Sequence, residues 1–251
     1  MTLELTTLGS SPAWPSPGKA CTGYLLRTES TSLLIDCGTG VFARLRCLTP
    51  PEQLHAVIIS HLHFDHWADL IPFRYYLRYE APPTATAPQL HLAKGALDTM
   101  QRVVQPIDAD PEFFPGTLPV TEYDPSMEHS IGNISIRFHR TLHPKETYAM
   151  RLEVAGSVLV YSADTGWDPA LADFARGADL FLCEAGWAGG EGTSQVHLSG
   201  GQAGRLAALA GTKRLVLTHV LESQAEDAVR AARATYSGVV EYAAEGKTFR
   251  L

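Results

Sequence analysis

The chain has 251 residues, 45% hydrophobic and 19% charged, with a net charge of −7. That length can bury a sizeable core without disulfides or structural metals, and an acidic balance with no Lys/Arg run excludes a strongly basic nucleic-acid binder. Four cysteines, Cys21, Cys37, Cys47 and Cys183, lack C-x-x-C spacing; they read as reduced, mostly buried thiols rather than a zinc knuckle or redox motif.

In chain order, Met1-Thr2-Leu3-Glu4-Leu5 has no basic region followed by an apolar one. Nor is any apolar stretch long enough to span a bilayer, so a cytoplasmic protein with no membrane partner is expected. Leu3–Leu8, Gly23–Thr28 and Ser32–Asp36 are short β-prone runs, bounded by Gly, Ser and Pro clusters. Pro12, Pro15, Pro17 and Gly18 make the first loop irregular. Gly38-Thr39-Gly40 turns the chain into a helix over Val41–Leu48, and Ala56–Ile59 is a compact buried strand. Trp67–Tyr79 reads as one aromatic helix, with Trp67, Phe73, Tyr75, Tyr76 and Tyr79. Such a stripe suits a core, the lining of a base pocket or the face of a homodimer. Gln89–Val104 gives a strand and then a helix, and Pro106–Ser130, rich in Pro, Asp and Glu, is the least regular stretch. Strands follow near Ile134–His139, Tyr148–Val154 and Val158–Ser162, the last two joined by a tight turn at Ala155-Gly156. Helices at Asp168–Arg176, Gly200–Ala210 and Ala225–Thr235 then alternate with strands at Leu180–Cys183, Arg214–Thr218 and Val239–Tyr242. With no linker or repeat, this order predicts one domain over residues 1–251, an αββα sandwich of two mixed β-sheets flanked by helices. Its strand-end loops would present ligands.

The chemistry concentrates in His61-Leu62-His63-Phe64-Asp65-His66, directly after the strand that ends at Ser60. Residues i and i+2 of an extended segment point the same way, so His61 and His63 can grip one metal. Asp65 and His66, at the turn beyond, can reach a second. The spacing is not the i, i+4 pair of a helical H-E-x-x-H site. His143 in Thr141-Leu142-His143-Pro144, Asp164 in Ser162-Ala163-Asp164-Thr165 and His219 in Leu217-Thr218-His219 each stand at or just past a strand end. Together with the first cluster they complete two coordination shells. Imidazole and carboxylate shells accept zinc, manganese or iron.

In these motifs, from Leu8-Gly9 to His219, the chain resembles the metallo-β-lactamase superfamily, and its RNase Z-like phosphodiesterase branch in particular. The resemblance implies the metallo-β-lactamase fold and two divalent ions, zinc first, with manganese or iron as alternatives. It implies that His61, His63 and His143 bind the first ion and Asp65, His66 and His219 the second, with Asp164 bridging. Asp36, in Leu33-Leu34-Ile35-Asp36-Cys37-Gly38, matches the acidic residue that supports the cluster from behind. Two such ions about 3.5–4 Å apart acidify a shared water towards neutrality, which permits hydrolysis without a covalent enzyme intermediate.

The branch decides the substrate. Zinc β-lactamases of this fold carry a cysteine where Asp164 stands, which disfavours β-lactams, whereas glyoxalase II-like thioesterases share the Asp. Val196-His197-Leu198-Ser199-Gly200 resembles the extra histidine motif of the phosphodiesterases, and Glu184 in Cys183-Glu184-Ala185 matches the acid that pairs with it. A diester transition state needs donors for its oxygens and an acid for its leaving group, so Asp65, His197 and Glu184 are the candidate catalytic residues. The helix start at Ser199–Gly201 would add N–H donors to an anion. RNase Z proper inserts a tRNA-gripping arm between the segments matching His143 and Asp164, an interval filled here by the hairpin Tyr148–Ser162. Phosphoribosyl cyclic phosphate phosphodiesterases have an extra cysteine-based zinc site without a counterpart here. The expectation is a phosphodiesterase for small or cyclic phosphodiesters of the cyclic-nucleotide type. A tRNA 3′-end endonuclease, a thioesterase or lactonase, and a non-catalytic metal-binding protein are the alternatives, and nucleic acid as a partner stays undecided.

Overall fold

A computed structural model describes residues 3–189 and 196–251; Met1 and Thr2, where the N-terminal reading begins, lie outside them. Short apolar runs fold into two seven-stranded mixed sheets. The first holds β1 (Glu4–Gly9), β2 (Gly23–Arg27), β3 (Ser32–Ile35), β4 (Ala56–Ile58), β5 (Gln89–Ala93), β6 (Val120–Tyr123) and, from the C-terminal end, β14 (Thr248–Arg250). Its order is β14-β1-β2-β3-β4-β5-β6. The second holds β7 (His129–Ile131), β8 (Ile134–Arg140), β9 (Tyr148–Val154), β10 (Ser157–Tyr161), β11 (Leu180–Glu184), β12 (Arg214–Thr218) and β13 (Val239–Tyr242). There the order is β13-β12-β11-β10-β9-β8-β7.

Each sheet is half antiparallel and half parallel. The pairings from β14 to β3 and from β7 to β10 are antiparallel, whereas β3 to β6 and β10 to β13 run parallel. Parallel neighbours need crossovers, and every parallel step here contains helix. On the first sheet these are α1 (Val41–Arg46), α2 (Phe64–Trp67) with α3 (Leu70–Tyr79), and α4 (Ala96–Val104). On the second they are α5 (Pro169–Phe174), α6 (Gly200–Ala210) and α7 (Ala225–Arg233).

Strand alternation sorts side chains between layers. Leu33 and Ile35 join Met150, Leu152, Leu159 and Leu182 in the core between the sheets. Leu34 and Val57 face outwards, to Val41, Leu45, Phe73 and Met100 of α1, α3 and α4. Val160, Phe181 and Leu215 do the same against α5, α6 and α7. This is the αββα sandwich expected from the sequence.

Three details differ from the sequence reading. The aromatic stretch is not one helix, because the helical hydrogen bonding is interrupted between α2 and α3 at Asp69. There the Asp69 amide donates to the Cys37 carbonyl, and its carboxylate accepts the Phe42 N–H at the start of α1. Trp67 and Phe73 are core, whereas Tyr75 and Tyr79 stack on each other at the surface. The irregular stretch Pro106–Ser130 contains β6 and most of β7, and β14 was not expected at all. Of the four free cysteines Cys47 alone is exposed.

Candidate metal centre

The fold brings strand ends from both sheets to one rim. β4 delivers His61 and His63, and α2 carries Asp65 and His66. The backbone under α2 is clamped: Thr22 N–H donates to the Asp65 carbonyl at 3.1 Å and Cys37 N–H to that of His66 at 2.7 Å. Gly38 makes this approach feasible, since a Cβ there would lie 1.8 Å from the Asp65 carbonyl oxygen. From the second sheet, His143 comes from the loop between β8 and β9, Asp164 follows β10 and His219 follows β12. Asp36, Ala163 and His219 all have positive φ, at 58°, 49° and 55°. That left-handed backbone is unfavourable for residues with a Cβ and gathers at functional sites.

Two groups of donor atoms converge. In the first, His63 Nδ1 lies 3.1 Å from His61 Nε2 and 3.0 Å from His143 Nε2, and Asp164 Oδ2 is 3.7 Å and 4.0 Å from the latter two. In the second, Asp65 Oδ2 lies 3.3 Å from His66 Nε2 and 3.2 Å from His219 Nε2. Asp164 closes this group too, at 3.4 Å from each of those histidine nitrogens. Each group's ligand atoms fall within 4.8 Å of one another.

The chemistry of the donors suits cations. Burial, with His66 nearby, pushes the His61 imidazole well below its usual pKa. Burial also lowers His63 and His143, which favours neutral rings with a lone pair to give. Burial alone would raise the carboxyls of Asp65 and Asp164, but His66 and His219 hold both far below the usual range. Among the described residues His66 Nε2 and Asp164 Oδ1 are fully buried and make no hydrogen bond. Buried polar atoms are nearly always paired, so these two orphans, aimed into the centre, fit a cation.

A second layer orients the first. Asp36 is completely buried. It accepts from His66 Nδ1 at 2.8 Å, Ser60 N at 2.7 Å, Ser60 Oγ at 2.8 Å and the Tyr161 hydroxyl at 2.9 Å. The bond to Asp36 leaves His66 Nε2 turned inwards, the usual outer-shell arrangement at metal sites. His143 Nδ1 is likewise 3.2 Å from the Val196 carbonyl. Ser60 and Tyr161 were not singled out from sequence. Ser60 had a signal in its place beside His61, but a tyrosine within an apolar strand has none.

His197 and Glu184 stand beside the second group. His197 Nδ1 lies 2.9 Å from Glu184 Oε1, and its ring stacks on that of His219 with centroids 5.3 Å apart. Glu184 is completely buried. It also accepts the backbone N–H groups of Thr165, Gly186 and Leu198. Burial works against a charge on His197, yet Glu184, helped by Asp164 and Asp65, raises its pKa to about 9. The helix start is less open than expected. Ser199 and Gln202 form a reciprocal capping box, and a Cβ on Gly200 would sit 2.2 Å from the Ala228 carbonyl oxygen. Gly200 thus serves the contact between α6 and α7.

A family model described as the beta-lactamase superfamily domain matches residues 31–220. The probable metallo-hydrolase YhfI of Bacillus subtilis is 33% identical over 97% of this chain and 98% of its own length. A ribonuclease Z of Thermobifida fusca is 26% identical over 88% of this chain and 85% of its own length. The crystal structure of YhfI superposes with a TM-score of 0.89 at 28% identity, covering 100% of this chain and 99% of that one.

Proposed function

This chain belongs to the beta-lactamase superfamily domain family, and from that premise we propose that it is a two-metal phosphodiesterase acting on small or cyclic phosphodiesters. The observation that carries the reading is the His197–Glu184 pair beside the second donor group. In a hydrolase of this fold, a buried carboxylate that holds a protonated imidazole next to the metal centre suits a substrate with anionic oxygens and an alkoxide leaving group.

Under this proposal His61, His63 and His143 would hold one divalent ion and Asp65, His66 and His219 a second, with Asp164 available to both, zinc being the first choice and manganese or iron the alternatives. When bound, the ions supply Lewis acidity to a phosphoryl oxygen and a nucleophile from water at neutral pH. Glu184 fixes His197 through Nδ1, which leaves Nε2 to donate to a phosphoryl oxygen or to protonate the leaving group. Asp36 keeps the His66 ring turned inwards. The ribonuclease Z relative, named for cleavage of RNA, supports phosphodiester chemistry. Two features support a small substrate. β9 and β10 are joined by only Ala155 and Gly156, which leaves no arm between His143 and Asp164. The chain also carries −7 net charge with no basic run, so it should gain little from neutralising many tRNA phosphates.

The test is one panel at moderate salt on metal-loaded enzyme: bis-p-nitrophenyl phosphate, 3′,5′-cyclic AMP, a precursor tRNA and a thioester. Turnover of the first two with weak or no tRNA cleavage is expected. Site-selective cleavage of the tRNA with cyclic AMP untouched would replace this reading with an RNase Z activity. Turnover of the thioester alone would move the enzyme to another bond class.

A further inference from the structure

A cleft of about 400 Å³ opens on the first donor group, with His61 and His63 in its wall. Its size lies within the range of about 300–1,000 Å³ typical of small-molecule sites. Leu62, Phe64 and Leu92 give it an apolar side. The Phe64 ring is 59% exposed, an unusual state for a large aromatic beside a reactive centre. Lys94, from the turn between β5 and α4, and Lys145, two residues beyond His143, enter the same cleft from separate loops. Neither lysine is ion-paired among the described residues. One carboxylate shares the lining, Glu146, and its Oε1 accepts the Tyr148 hydroxyl. In a chain of net charge −7, two lysines to one carboxylate in the lining stand out, with Asp124 a further acid within electrostatic reach of Lys94.

We infer that this cleft is a subsite for the part of the substrate beyond the scissile phosphate, and that it selects a nucleotide carrying a second phosphate. The inference rests on the phosphodiesterase reading. A flat base is the group that lies well on Leu62 and exposed Phe64, because aromatic faces stack on bases with little regard to sequence. Two lysines converging from different loops match a dianion: each is a point charge able to turn towards a phosphate oxygen, and hydrogen bonds between charged partners exceed neutral ones in strength. A simple cyclic mononucleotide would offer the two lysines no second phosphate, whereas a dinucleotide with a terminal phosphate would fill the cleft and bring one to them.

Calorimetric titration of the metal-loaded enzyme at low salt with adenosine 3′,5′-bisphosphate and with adenosine 5′-monophosphate tests this without turnover. The bisphosphate is expected to bind about tenfold tighter or more, from the usual strength of hydrogen bonds to charged groups. The preference should shrink as salt is raised. In the Lys94→Gln/Lys145→Gln double variant, with metal content and melting temperature checked against the parent, the ratio of the two affinities should fall to about one. Equal affinities in the parent enzyme, or a preference that survives in the variant, would overturn the subsite. Failure of the underlying reading would show separately, as no turnover of any diester on the panel above.

Discussion

Removing the His197 imidazole should separate chemistry from metal binding. His197 lies outside both four-residue donor groups, although it stacks on His219 and could form a third set with Glu184 and His219. In His197→Ala, diester turnover should drop about 10²–10⁴-fold, the range for a lost general acid, while elemental analysis returns the parent's metal content. Unchanged turnover would remove the residue from the chemistry, and lost metal would recast it as a ligand. Much of this centre can be seen in the sequence, because four donor-type residues within six positions rarely have another use, and Asp164 and His219 end apolar runs. Other parts are hidden for a physical reason: they depend on contacts between sheets. Tyr161 reaches Asp36 from 125 positions away. Lys94 and Lys145 look like ordinary surface charges until the fold places both in one cleft.

At the scale of elements, α6 and α7 show why a glycine-rich helix start need not be an anion site. Gly204 is buried in the middle of α6, where a Cβ would come 2.3 Å from Thr235 Oγ1 and 2.5 Å from the Ala232 carbonyl oxygen. Helix propensity alone predicts that Gly204→Ala stabilises, by roughly 0.5–1 kcal/mol. The backbone contact predicts the reverse, an overpacking loss of about 1–3 kcal/mol. The clash should win, because one of the two atoms is backbone and cannot rotate away. A urea titration should therefore show a lower midpoint at unchanged slope, and a raised midpoint would mean that the helices part easily. The same competition between local signal and tertiary contact decided what was legible of the fold. Strands with apolar alternation or a continuous apolar run, such as β9 and β10 respectively, stand out. β6 (VTEY), β7 (HSI) and β14 (TFR) mix polar and apolar residues and lack the unbroken apolar run that makes equally short β4 (AVI) visible. The break at Asp69 comes from a carboxylate that caps a different helix, α1.

For the molecule as a whole, the two sheets meet at a rim that neither completes alone. The first sheet and its crossovers bring Asp36, His61, His63, Asp65 and His66, and the second brings His143, Asp164 and His219 from its loops and Glu184 from the end of β11. Each proposed cation therefore takes donors from both sheets, and its binding should be coupled to their docking. His61 Nε2 and His143 Nε2 lie 3.1 and 3.0 Å from His63 Nδ1, and among the described residues buried His66 Nε2 and Asp164 Oδ1 have no hydrogen-bond partner. Anything that binds the folded state alone stabilises it by mass action, by about 2.7 kcal/mol at a hundred times Kd. For a chain of this size that corresponds to a melting temperature higher by about 5–10 °C. Protein purified without chelator should carry two ions per chain by elemental analysis, and stripping them should lower the melting temperature by that order. Restoring zinc, manganese or iron one at a time should recover it to different extents, which ranks the metals independently of turnover. A stoichiometry that never exceeds one, even with metal in excess, would end the two-metal reading. Two ions removed with no change in melting would instead mean that the interface between the sheets holds the rim in place by itself.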